Sequence, residues 1–279
     1  MRSDNYISLK DNQVIRKHYE NFSIAKFLPK KSKNAIITIY AFARIGDDIA
    51  DAENLSAREK QSQLKKMKSQ LDMIKKNCIP SEPLFIDLFH LIKTYKLNIQ
   101  FFYQLMDAFF QDTIKKKYKN EKELFDYYKD AAHAAGKLYL QVNRLDSKAT
   151  YTYANHICSA FAMIDMIQDI REDLNKNRVY LPESLIRQYQ INVPALQKGQ
   201  FLGNWENFKN YWTDQINNRL ILGKDILNYG NWRFKFEMKL LISAGLMLSQ
   251  KIKKRGNPFN IKMGPISWFI VFTKAIFLR

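Results

Sequence analysis

The chain has 279 residues, 46% of them hydrophobic and 14% aromatic, enough to bury a sizeable core and too many for intrinsic disorder. Lys and Arg number 45 against 27 Asp and Glu, a formal net charge of +18. Only two cysteines occur, Cys78 and Cys158, which excludes a disulfide scaffold and suits a reducing compartment.

The opening stretch MRSDNYISLKDNQVIRK carries no apolar core of a signal peptide. No run reaches the roughly 18–20 apolar residues of a spanning helix. The expectation is a cytoplasmic protein. The lysines are scattered in short clusters, such as Lys30-Lys31-Lys33, Lys65-Lys66-Lys68 and Lys115-Lys116-Lys117. There is no zinc-ligand spacing and no RNA-recognition motif. A solvated lysine surface and attraction to an anionic membrane therefore rank ahead of nucleic acid, which is not expected as a partner.

Glycine and proline are scarce, 9 and 7, and none of the prolines lies between Pro83 and Pro182. Apolar residues recur at helical spacing over 31–53, 56–77, 82–95, 98–117, 121–142, 147–174, 205–228 and 232–254. The longest irregular stretch is 175–204, with Pro182, Pro194, Gly199 and Gly203. Strand-like alternation is weak and no Asn-Gly or Asp-Gly hairpin dipeptide occurs. One all-α domain over 1–279 is expected, built from several long helices. The tail from Lys262 to Arg279 reads as a further helix, apolar nearly all round, with Trp268, Phe269, Ile270, Val271, Phe272, Ile276, Phe277 and Leu278. It can complete the core, or pack with one face and meet lipid with another.

Two acidic clusters interrupt apolar helices. In the first, Tyr40, Arg44, Asp47, Asp48 and Asp51 share one side of a helix entered through AIITIYAFA. Asp47 and Asp51 lie one turn apart and repel each other. Either this is a helix end where acids meet water, or a cation neutralises the pair. In the second, Asp165, Asp169 and Asp173 are stacked at i, i+4 and i+8 after the apolar run ICSAFAMI. Three stacked acids leaving a core are hard to read as surface. Two such stacks, if they meet, make a hard-oxygen site suited to Mg²⁺ and a polyphosphate.

HYENFSIAKFLPKKSKNAIITIYAFARIGDDIADAE, running into Asp47-x-x-x-Asp51, resembles the N-terminal signature of the squalene/phytoene synthase family. IQDIREDLNKNRVYLP resembles its second DxxxD, Asp169 to Asp173, with the Arg-x-Tyr-x-Pro tail, and YYKDAAHAAG resembles the segment between them. The likeness is good over roughly 14–183 and weaker beyond. It implies an isoprenoid synthase helical bundle with a central cavity. It implies that Asp47, Asp51, Asp169 and Asp173 hold Mg²⁺. His18, Arg44, Gln168 and Arg178 would bind the diphosphate, and Tyr40, Tyr127 and Tyr180 would line the reaction cavity. Aromatic faces can stabilise a carbocation as they stabilise ammonium ions. Gly136 would allow close backbone or substrate approach.

Several positions depart from the usual pattern. The segment after His18 is Tyr-Glu-Asn21-Phe22, the usual arginine before the second DxxxD is Gln168, the usual asparagine three residues earlier is Asp165, and Asn177 replaces a common glycine. Asn21-Phe22 and Gln168 look like the hydroxysqualene synthase branch of bacterial hopanoid pathways. That branch ionises presqualene diphosphate and rearranges it to hydroxysqualene or squalene. The alternatives are head-to-head condensation of two farnesyl or geranylgeranyl diphosphates, and a non-catalytic assembly protein of the same fold. NADPH use is not indicated, since no glycine-rich dinucleotide fingerprint is present. Apolar C30 products imply peripheral contact with the inner face of a membrane.

Overall fold

Helix-period patterning with few breakers dictates helices, and helices are what form. The protein is described by a computed structural model over residues 30–259 and 261–278. In chain order the helices are α1 Lys30–Asp51, α2 Ala57–Lys75, α3 Pro83–Tyr95, α4 Gln100–Ile114, α5 Glu121–Tyr128, α6 Ala134–Val142, α7 Lys148–Gln168, α8 Ile170–Asn175, α9 Glu183–Gln188, α10 Val193–Gln197, α11 Trp205–Leu222, α12 Trp232–Lys254 and α13 Pro265–Phe277. A π-turn, Lys129–His133, joins α5 to α6, and a 3₁₀ turn, Gly223–Asn228, follows α11. Among the described residues there is no strand, only one isolated bridge between Lys117 and Val179. No described helix is long and apolar enough to cross a membrane.

The starts of the helices follow from local chemistry. Ser56 and Glu59 form a reciprocal capping box at α2, and Ser147 with Thr150 does the same at α7. Asn120 and Asn231 accept from backbone N–H groups at the starts of α5 and α12.

The chain divides into two compact units. One comprises the described residues through Thr113 together with Lys137–Leu145, and the other Ile114–Gly136 with Asp146–Arg279. In the first unit, α1 buries Ala35, Ile39, Phe42 and Ala50 along one stripe. Phe42 meets Phe85 of α3 and Phe102 of α4 edge to face, with ring centroids 5.9 and 5.3 Å apart. The Tyr103 hydroxyl of α4 donates to Asp72 of α2 at 2.6 Å.

In the second unit, α7 buries Ala154, Ile157, Ala160, Met163, Ile164 and Ile167. Against it lies α11, whose Trp205, Phe208 and Trp212 form a buried aromatic ladder with centroids 5.3 and 5.6 Å apart. Trp212 Nε1 donates to the Met163 carbonyl at 2.9 Å. Lys209 is fully buried, and its ammonium donates to Glu206 at 2.8 Å and to the Arg255 carbonyl at 2.6 Å. The buried charge is thus paired and hydrogen-bonded. On the far side of α12, Leu240, Ala244 and Met247 pack against Val271 and Ala275 of α13.

Gly46 sets how closely α1 approaches α4. A Cβ there would lie 2.2 Å from Phe109 Cε2 and 2.3 Å from its Cδ2. Phe109 is itself buried and packs on Phe42, so the ring has little room to withdraw. Gly46→Ala should therefore destabilise the protein by about 1–3 kcal/mol from overpacking, less up to about 1 kcal/mol returned by helix preference. Denaturant unfolding measures it, and an unchanged midpoint would show that Phe109 yields freely.

Candidate active site

On α1 the buried stripe leaves the opposite side accessible, and that side carries the first acidic cluster. Arg44 pairs with Asp48 at 2.8 Å and lies 3.6 Å from Asp47, all three side chains about half exposed. Burial alone would lower the Arg44 pKa, but Asp48 and then Asp47 outweigh it and the net shift is upward. Asp51 closes the helix and is half-buried, as is Tyr40 one turn before Arg44. Tyr40, Arg44, Asp47 and Asp51 thus occupy one helical face, as their spacing requires.

The second cluster belongs to the other unit. Asp165 lies in the last turn of α7, Asp169 is the hinge residue between α7 and α8, and Asp173 lies in α8. The helix breaks at Asp169, yet its N–H still donates to the Asp165 carbonyl at 2.8 Å, and the Asp173 N–H to the Asp169 carbonyl at 2.9 Å. The i→i+4 pattern survives the break, so the three acids remain on one side. The Asp165 side chain is exposed to solvent at the end of α7, while its neighbours Met163, Ile164, Met166 and Ile167 are buried. Burial, and next the charge of Asp169, push its pKa up to about 7. Asp169 is also raised, by burial first and Glu172 second, against the pull of Lys176.

Arg178 reaches this cluster through the end of α8. Asn177 adopts φ +56°, the left-handed conformation that glycine or asparagine tolerates best. The Asn177 N–H donates to the Leu174 carbonyl at 3.0 Å, and the Arg178 N–H to the Asp173 carbonyl at 2.8 Å. This is the Schellman pattern. It turns Arg178 back on the helix, with its guanidinium buried 3.7 Å from Asp173. Asparagine therefore does the work of the glycine it replaces.

The extended backbone after Arg178 pairs briefly with the segment following α4, the Val179 N–H donating to the Lys116 carbonyl at 2.8 Å. That pairing brings Tyr180 against two other tyrosines. Its ring stacks on Tyr118 at 5.7 Å and 21°, and lies 5.7 Å from Tyr127, which is 5.5 Å from Tyr118. The Arg178 guanidinium lies 5.6 Å from the Tyr180 ring, and Lys115 Nζ 4.4 Å from that of Tyr118. The Tyr128 hydroxyl contacts Met166 Sδ at 2.9 Å, next to Asp165 in sequence. Tyr118 is not anticipated from the sequence. Its only signal is a lone aromatic closing the lysine run at 115–117.

Other expected residues fall differently. Gln168 Nε2 donates to the Ile261 carbonyl at 3.3 Å, so its amide holds the loop between α12 and α13. Gly136 has a packing reason: a Cβ there would lie 2.5 Å from Cys158 Sγ on α7. His18, with Asn21 and Phe22, lies outside the described residues.

Among the described residues no three His, Cys, Asp or Glu groups converge into a ready-made metal cage. Mg²⁺ does not need one: one or two carboxylates suffice when water and phosphate oxygens supply the rest. Asp165, Asp169 and Asp173 have the right donor chemistry, oxygen ligands spaced one turn apart on one side of the helix. The residues present fit a hard divalent ion.

The sequence model of the squalene/phytoene synthase family matches residues 15–260. The hydroxysqualene synthase of Zymomonas mobilis subsp. mobilis is 30% identical over 186 residues, 65% of this chain and 60% of that protein. The phytoene synthase of Mycobacterium tuberculosis is 29% identical over 157 residues, 56% of this chain and 51% of that one. The matches thus span 60% and 51% of the length of these curated relatives. The squalene synthase HpnC of Alicyclobacillus acidocaldarius superposes with a TM-score of 0.79 at 23% identity, over 88% of this chain and 94% of that one. A dehydrosqualene synthase solved with a ligand gives 0.84 at 16% identity, over 96% of each. At such identities the two structures speak for the all-α fold alone. Both acidic clusters, both arginines and all the tyrosines discussed fall inside the matched span, and the chain belongs to the squalene/phytoene synthase family.

Proposed function

We propose that residues 1–279 act as one Mg²⁺-dependent catalytic domain that ionises presqualene diphosphate and rearranges it to hydroxysqualene or squalene. The observation that carries the reading is the stack of Asp165, Asp169 and Asp173 on one side of α7 and α8, with Arg178 turned back against Asp173 and Tyr180 beside it. The likeness to the hydroxysqualene synthase of Zymomonas mobilis supports this substrate.

Asp47, Asp51, Asp169 and Asp173 would hold the ions. Bound Mg²⁺ neutralises the oxygens of the leaving diphosphate. Arg44 and Arg178 add charge-assisted hydrogen bonds to those oxygens. The C–O bond breaks heterolytically, and its electron pair departs with the diphosphate. The ring faces of Tyr40, Tyr127 and Tyr180, joined by Tyr118, stabilise the cyclopropylcarbinyl cation while it rearranges. Water then adds through oxygen and gives up a proton, leaving hydroxysqualene. Squalene would instead need a hydride from a donor such as NADPH. Substrate and product are apolar over most of their length and partition into lipid. The reading therefore includes work at the cytoplasmic face of a membrane.

A second reading, condensation of two farnesyl or geranylgeranyl diphosphates, draws on the likeness to the phytoene synthase of Mycobacterium tuberculosis. A non-catalytic role is disfavoured by the retention of all four outer aspartates.

Two measurements test these assignments. Asp47→Asn and Asp169→Asn should each lower turnover by at least about 100-fold, the upper range for a disturbed metal site, with circular dichroism unchanged. Near-normal turnover in either variant would remove that residue from the ion-binding set. Purified protein with Mg²⁺ should convert presqualene diphosphate, with products identified by mass, and should condense little farnesyl diphosphate. Gln168→Arg, which also breaks the bond to Ile261, should raise condensation relative to conversion. Efficient phytoene formation from geranylgeranyl diphosphate would move the protein to the condensing reading.

A further inference from the structure

Helix α13 is half committed to the protein. Val271 and Ala275 are fully buried against α12, and Trp268 packs beside them. The Lys251 ammonium donates to Ser267 Oγ at 2.7 Å and to the Lys262 carbonyl at 3.2 Å, fixing the start of the helix. The opposite face is apolar and open. Ile266 is 78% exposed, Phe269 71% and Ile276 61%, and Ile270 lies between them on the helical surface. Thr273 is the polar residue on that face, and its hydroxyl donates back to the Ile270 carbonyl at 2.9 Å. Even this group therefore asks little of water. At the edge of the face, α12 and α13 leave a groove of about 410 Å³ lined by Leu246, Thr273, Lys274 and Leu278, with Ser243 at its floor. Large apolar side chains clustered this way on a surface mark a contact site.

We propose that the outer face of α13 docks onto an anionic lipid bilayer. Charge decides between the possible occupants. Lys262 just before the helix and Lys274 on it are exposed, and no acidic residue occurs from Asn231 to Arg279 except Glu237, which is buried. The whole chain carries +18. A second copy would bring like charge against like charge, whereas anionic headgroups meet the lysines while the acyl region takes Ile266, Phe269 and Ile276. Length excludes a spanning role: the helix has 13 residues. An in-plane helix is the geometry that remains. The inference rests on the proposed apolar substrate for its purpose only, because the docking face is read from its own residues.

Sedimentation with vesicles, using full-length protein without substrate, tests docking separately from catalysis. Vesicles of phosphatidylglycerol and phosphatidylcholine should carry the protein down at low salt. Pure phosphatidylcholine should retain much less, with up to about fivefold lost per basic residue near the surface. The triple variant Ile266→Ser, Phe269→Ser and Ile276→Ser changes exposed positions only. It should weaken partitioning by at least about 100-fold while melting as the parent does. Phe269→Trp should show fluorescence quenched by brominated acyl chains. Parent protein that stays in the supernatant, or a triple variant that binds as tightly as the parent, would overturn the proposal. So would a dimer in solution that the same triple variant disperses, which would give the face to a second copy.

Discussion

Carboxylates at the end of an apolar helix repel one another, and the rest of the second unit is arranged around keeping them there. The core holds α7 at several points close to the acids. Trp212 donates to the Met163 carbonyl, Tyr128 contacts Met166, and Ile164, Ile167 and Ile170 are buried. The helix cannot turn about its axis without breaking that packing. The pKa values of Asp165 and Asp169 are raised, by burial first and then by the neighbouring acids Asp169 and Glu172 respectively. The first cluster is treated differently. Arg44 sits among its acids on a half-exposed face, and solvent screens what the arginine does not offset.

The turn after α8 converts this constraint into a site. A helix ending in the left-handed conformation reverses the chain within two residues, so Arg178 returns to Asp173 instead of running on into solvent. The next two residues are then committed. Val179 pairs with Lys116, and Tyr180 lands on Tyr118 and Tyr127. One backbone angle at Asn177 thus places a cation against an acid and an aromatic face beside the cation. The π-turn at Lys129–His133 shifts helical register between Tyr127 and Gly136. It lets Tyr127 face the other tyrosines while Gly136 packs on Cys158, two demands that one continuous α-helix would couple.

Periodicity reported where apolar faces lie, and helices such as α1, α2, α3 and α12 were therefore readable to within a few residues. The misses have long-range causes. The segment at 115–117 continues a helical pattern, but Lys116 leaves α4 to pair with Val179, far along the chain. The break at Asp169 and the π-turn preserve average spacing, so a periodic count passes over both. The shared face of each acid stack was legible, because residue types and helical spacing coincide there. Tyr118 was not, because its role arises from a partner 62 residues away. Gln168 reads as a substrate ligand by position, yet its amide is engaged by the Ile261 carbonyl, a contact no local pattern encodes. Gly136 reads as a place of close approach, but only the fold says that Cys158 is what approaches.

The distribution of charge joins the two ends of this chemistry. A diphosphate is a polyanion, and a bare cluster of aspartates repels it at contact. The chain as a whole is strongly cationic, and that field acts over about a Debye length, ~8 Å at physiological ionic strength. Attraction therefore operates while the substrate approaches, and repulsion takes over only at the acids themselves. The conflict resolves if diphosphate and divalent cations arrive in company, since the acids then meet net positive charge. A site of carboxylates inside a lysine-rich body selects for that combination over either component alone. Free cations face long-range repulsion from the +18 chain, and free diphosphate faces short-range repulsion from the aspartates. The same lysines that would draw a diphosphate inward would hold the protein to an anionic surface, where the proposed apolar substrate would partition.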